Sequence, residues 1–126
     1  MTLLRRIDPW APPLLVMVAI FLLSAQPDLN SGLGTVDLIG RKVIHFAQYA
    51  LLAFLWWRAL RTRLSIRAAA LAAFLITSAY AASDELHQTF VHGRHGSLLD
   101  WAIDSAGAAL ASVRLARRRG GREARR

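Results

Sequence analysis

The sequence contains no cysteine. Disulfides, thiolate nucleophiles and cysteine-based zinc sites are therefore outside its chemistry. Acids are scarce as well, with 8 Asp+Glu against 16 Lys+Arg and a formal net charge of +8 at pH 7. No serine sits in a nucleophile-elbow pattern, and no glycine-rich phosphate loop follows a strand-like run, so the common soluble enzyme classes find no support. There is no internal repeat, and 126 residues allow at most one small domain. An excess of basic charge suits nucleic acid or a membrane surface, and the positions of the charges decide between the two.

What the chain has in quantity is apolar surface, 55% of its residues, gathered into four blocks bounded by charges. The first block, residues 9–27, runs 19 residues without a charge, long enough to cross a hydrocarbon core. Arg5 and Arg6 precede it as in a signal peptide, but Pro27 closes Ser24-Ala25-Gln26-Pro27 where a processing site needs a permissive residue, so it reads as an uncleaved span. The second and third blocks, residues 43–57 and 68–83, are charge-free for 15 and 16 residues with His45 neutral. A full span needs roughly 20. Snorkelling by Arg41, Lys42, Arg58, Arg61 and Arg67 extends both blocks. Trp10, Trp56, Trp57 and Trp101 fall near the span ends, where amphipathic rings favour the interface. The fourth block, residues 98–115, carries Asp100 and Asp104 among small residues such as Ala102, Ser105, Gly107 and Ala108 that suit close helix contact.

The expected architecture is all-α, a four-helix transmembrane bundle. Residues 1–116 form the membrane domain and residues 117–126 a basic cytoplasmic tail, disordered after Arg119; residues 26–40 read as a loop. Thirteen of the 16 basic residues fall on the side shared by both termini and the connection between Arg58 and Arg67. The positive-inside rule makes that side the cytoplasm, as in a bacterial inner (plasma) membrane. The other side receives Arg41, Lys42 and Arg94 with six of the eight acids. A soluble helical bundle with a basic face is the alternative. The tail lacks aromatic or motif support for nucleic acid, so membrane lipids are the expected partner, each base contributing about 1 kcal/mol next to anionic headgroups.

Charged groups at span ends call for a function and a named partner. Lys42, His45 and Tyr49, with Gln48 close by, lie along one face of the second helix. Asp84, His87 and Gln88 share a face of the third, with Glu85 directed elsewhere; Asp100 and Asp104 lie one turn apart on the fourth. All three clusters belong to the outer end of the bundle, where convergence makes one polar pocket with carboxylates and imidazoles for acid–base work and with Arg94 and Lys42 as donors to an anion. Ion pairing that merely holds the helices in register is the bland alternative. Glu85 by itself reads as an interfacial or solvated acid, and His92 and His95 as loop residues. A His45/His87/Asp84 metal site has acceptable ligand chemistry but no spacing motif, so no metal residue is assigned and no cofactor is named.

At these residues the chain resembles the VanZ-like family of small bacterial membrane proteins. The resemblance is carried by Ser24-Ala25-Gln26-Pro27, by residues 42–52 opening the second span, by residues 80–90 closing the third, and by Gly93-Arg94-His95-Gly96-Ser97 with Asp100 and Ala106-Gly107-Ala108. Its order and topology hold over about residues 10–115, while His92 stands where relatives often carry proline. The resemblance implies an envelope role, the namesake being associated with low-level resistance to the glycopeptide teicoplanin; it implies no established reaction. Asp84, His87, His45 and Glu85 are then the catalytic candidates, and Lys42, Tyr49, Gln88, Arg94, Asp100 and Asp104 the binding candidates, for an anionic lipid or glycan precursor. A non-catalytic binding or scaffold module, or a small transporter or flippase subunit that works as a homo-oligomer, is the alternative.

Overall fold

A computed structural model describes residues 8–25, 34–91, 93 and 96–123, with side chains through Arg117 in the last stretch. Among them every regular element is helical: α1 (Ala11–Ser24), α2 (Thr35–Leu60), α3 (Ile66–Gln88) and α4 (Leu98–Glu123). Local chemistry sets the starts. Proline in the first turn of α1 removes an N–H that has no helical partner there. Gly34 precedes α2 at φ +59°, a backbone open to glycine, and Asp37 in the first turn pairs with Arg41 at 3.1 Å. Ser65 caps α3 by accepting from Ala68 N, and Ser97 Oγ accepts from Asp100 N at 3.0 Å at the head of α4.

Pairwise contacts give the directions. Tyr49 meets Asp84 and Trp57 Nε1 donates to the Ile66 carbonyl, so α2 and α3 are antiparallel. Lys42 meets Asp100 and His45 meets Asp104, so α2 and α4 are parallel. Met17 accepts from Tyr80 and Ser24 from Gln88, which sets α1 parallel to α3. The result is an up-down-up-down arrangement in which α2, α3 and α4 contact one another and α1 lies against α2 and α3. Gly107 lets α4 approach α2 closely, since a Cβ there would run into the Phe46 carbonyl.

The distribution of polarity is inverted relative to a water-soluble bundle. Leu15, Val18, Leu22, Val43, Leu71 and Leu75 face outward, whereas Thr77, Asp84, Glu85, Gln88, Asp104 and Ser112 are buried. Helices α2 and α3 are long and apolar enough to cross a membrane, and only 22% and 28% of their most apolar windows are buried inside the protein. The core helix of a soluble protein hides such a stretch; these two expose it.

Three boundaries differ from the sequence expectation. Residues 35–40 are the first turns of α2 rather than loop, because glycine spacing at Gly34 and Gly40 ends no helix when only Gly34 takes a positive φ. The first apolar block forms a helix of 14 residues, ~21 Å long at 1.5 Å per residue, and Gln26 and Pro27 lie outside the described residues. Helix α4 continues to Glu123, across the expected tail boundary and beyond Arg119.

Candidate functional site

The first half of α2, the last half of α3 and the first half of α4 lie at one end of the bundle, and their polar residues meet along one seam. Lys42 Nζ donates to Asp100 Oδ1 at 2.8 Å, each side chain about a third exposed. One turn deeper, His45 Nδ1 lies 3.2 Å from Oδ1 of Asp104, which is 0% exposed. With Asp104 ionised, Nδ1 is the nitrogen that carries the hydrogen. A turn further along α2, the Tyr49 hydroxyl donates to Asp84 Oδ2 at 3.0 Å. The i, i+3, i+7 spacing of Lys42, His45 and Tyr49 thus becomes three successive contacts, two to α4 and one to α3.

Glu85 departs from its expected place. It is 6% exposed rather than solvated, and its Oε2 accepts from the backbone N of Ser97 at 3.0 Å. The physical reason is that α3 is flanked by three helices: Asp84 turns to α2, Glu85 to the head of α4, and the next turn to α1. On that α1 side His87 stacks on Phe21 with ring centroids 4.7 Å apart, and Gln88 Nε2 donates to Ser24 Oγ at 3.1 Å. His87 and Gln88 therefore stand beside the seam, while Lys42, His45, Tyr49, Asp84, Glu85, Asp100 and Asp104 form it. Arg94, with His92 and His95, lies outside the described residues.

Two oxygens of the seam, Glu85 Oε1 and Asp104 Oδ2, are buried without a hydrogen-bond partner among the described residues. Buried carboxylate oxygens are costly unless paired. One potential ligand atom each from His45, Glu85 and Asp104 lies within 4.8 Å of the others. This differs from the His45/His87/Asp84 grouping considered from sequence: His87 is drawn to α1 and Asp84 to Tyr49. Glu85 also lines an open groove of about 390 Å³ between α3 and α4, together with Gly96, Ser97 and Trp101.

Ser97 was not among the sequence candidates, yet it caps α4 through its hydroxyl and holds Glu85 through its N–H. Ser97 three residues before Asp100 at a helix start is the signal that marks it. Gly96 beside it has no room for a side chain, since a Cβ would meet the Glu85 carbonyl. Tyr80, which donates to the Met17 carbonyl at 2.5 Å, and the Ser78–Ser105 pair at 2.8 Å tie the helices together without reaching the seam's unpaired oxygens. Chemically the seam offers carboxyls and an imidazole for proton transfer or cation binding; its one described ammonium is already engaged by Asp100.

A family model described as VanZ/LLP1 matches residues 9–116. No curated protein and no solved structure matches the chain.

Proposed function

We propose, from the premise that the chain belongs to the VanZ/LLP1 family, that it is a multi-pass protein of a bacterial inner membrane whose polar seam acts on or binds an anionic lipid or glycan precursor of the cell envelope. The observation that carries this reading is Asp104, 0% exposed and facing His45 in a bundle whose outer surface is apolar. Ionisable groups at such depth are costly in a lipid-facing protein and mark functional positions. The inverted polarity and the exposed windows of α2 and α3 support membrane insertion. Basic residues at both termini and between α2 and α3 support cytoplasmic termini and, with them, a seam at the outer end.

In this reading Asp84 supplies the acid–base group, and an arriving anion competes with Asp100 for the Lys42 ammonium, with Arg94 as a second donor. The link to glycopeptide tolerance belongs to the same proposal. A non-catalytic scaffold is the second reading, favoured by one observation: Lys42, His45 and Tyr49 each already have a protein partner.

The test is teicoplanin susceptibility of a sensitive host carrying the wild-type protein, Asp84→Asn or Arg94→Ala, with membrane levels matched. Protection by the wild type and loss with both variants supports handling at the seam. Equal protection by all three supports the scaffold, and no protection by any severs the glycopeptide link.

A further inference from the structure

The seam has more negative groups than positive ones. Asp84, Glu85, Asp100 and Asp104 face one lysine and one imidazole among the described residues. An anion meets repulsion there unless something changes the sign. The two buried oxygens without partners, Glu85 Oε1 and Asp104 Oδ2, belong to residues whose ligand atoms gather with that of His45 within 4.8 Å. Two carboxylates on different helices, each with a buried unpaired oxygen, gathered with an imidazole from a third helix are what a cation site requires, whereas an ion pair that only holds register leaves no oxygen unpaired.

We propose that His45, Glu85 and Asp104 bind a divalent transition-metal cation of the Zn²⁺ or Mn²⁺ class. A mixed imidazole and carboxylate set suits such ions. His45 Nδ1 and Asp104 Oδ1 are 3.2 Å apart, close to the roughly 3.3 Å between adjacent ligands of a tetrahedral centre with bonds of about 2.0–2.1 Å. The cation takes the place of the hydrogen between these two atoms, which moves to Nε2 so that the ring stays a neutral ligand. Glu85 completes the trio through the oxygen left free when its other oxygen accepts from Ser97. That N–H holds the carboxylate in orientation as a supporting contact. The groove lined by Glu85, Gly96, Ser97 and Trp101 gives the ion a route from outside. Three protein ligands leave coordination positions open, and a metal there makes an acidic seam attractive to phosphate or carboxylate. That the metal serves an envelope anion rests on the function proposed above; that the trio holds a metal does not.

The experiment is metal binding by the full chain purified in detergent, stripped with chelator and dialysed against Zn²⁺ or Mn²⁺. The wild-type protein is expected to retain one ion per chain and to gain thermal stability with metal concentration. Glu85→Gln and Asp104→Asn are expected to weaken binding by more than the roughly 10–100-fold that loss of a supporting hydrogen bond causes, while Asp37→Asn, on the outer turn of α2 beside Arg41, retains it. Should either seam variant fail to stay monodisperse, pulsed EPR of Mn²⁺ on the wild-type protein reads the same point, since imidazole ligation gives a nitrogen coupling that His45→Gln removes. Failure of the wild type to hold metal, retention by both seam variants, or absence of the nitrogen coupling overturns the proposal. Metal retained by a protein that gives no glycopeptide protection severs the glycopeptide link and leaves the metal site standing.

Discussion

Lys42 on α2 holds Asp100 on α4 at 2.8 Å, one turn above the His45–Asp104 contact on the same two helices. The outer pair is about a third exposed and the inner acid fully buried, so two chemically similar contacts sit in different environments. Exposed ion pairs are screened by solvent and contribute roughly 0–1 kcal/mol. A double-mutant cycle of Lys42→Ala and Asp100→Ala, read by thermal unfolding in detergent, is expected to give a coupling of about 1 kcal/mol or less.

The inner contacts respond differently. Tyr49→Phe removes the donor to Asp84 and leaves a buried carboxylate oxygen without it. The expected loss is about 1–3 kcal/mol, with Ser83→Ala, an exposed hydroxyl on α3 next to Asp84, close to neutral. Parallel unfolding curves of the two variants check the contrast.

The approach of α2 and α4 depends on Gly107. A side chain there meets the backbone of Phe46, which has no flexible end to move aside. Gly107→Leu is expected to lose at least ~2 kcal/mol from overpacking, visible as aggregation on size exclusion in detergent. Gly40, with nothing within 4 Å of a built Cβ, is the control. Gly40→Ala is expected to stabilise α2 by about 0.5–1 kcal/mol.

The absence of native cysteine makes topology directly measurable. Arg63→Cys lies in the exposed connection between α2 and α3, and Phe90→Cys just beyond α3, where the side chain is 83% exposed. The proposed orientation predicts that a membrane-impermeant maleimide labels position 90 in intact cells and position 63 only after permeabilisation. The reverse pattern inverts the protein and moves the seam to the cytoplasmic side.

Much of this arrangement is legible in the sequence. Apolar blocks bounded by charge mark the cores of all four helices, and helical spacing assigns Lys42, His45 and Tyr49 to one face because that face meets its partners in succession. Glu85 was hidden because helical-wheel reasoning assumes one buried face, whereas α3 is flanked by helices on three sides. His87 shares the wheel position of Asp84 and yet stacks on Phe21, since a full turn separates the neighbour each residue meets. The start of α2 was obscured by glycines at 32, 34 and 40; of the two that are described, Gly34 takes a positive φ and Gly40 lies within the helix. At the other end, Gly120 and Gly121 imply a break within the arginine-rich stretch, but helix α4 runs through both. Local propensity sets boundaries only weakly when a helix is already long and packed.

A seam that acts chemically and a seam that only braces the helices respond differently to the loss of one charge. Glu85→Gln separates the two roles, because glutamine keeps an oxygen to accept from Ser97 while losing the negative charge. The decisive measurement is glycopeptide protection plotted against the amount of folded protein in the membrane, over a range of expression levels, for wild type and Glu85→Gln. A variant curve that stays near zero at wild-type levels of folded protein is the predicted result; two curves that superimpose contradict the account.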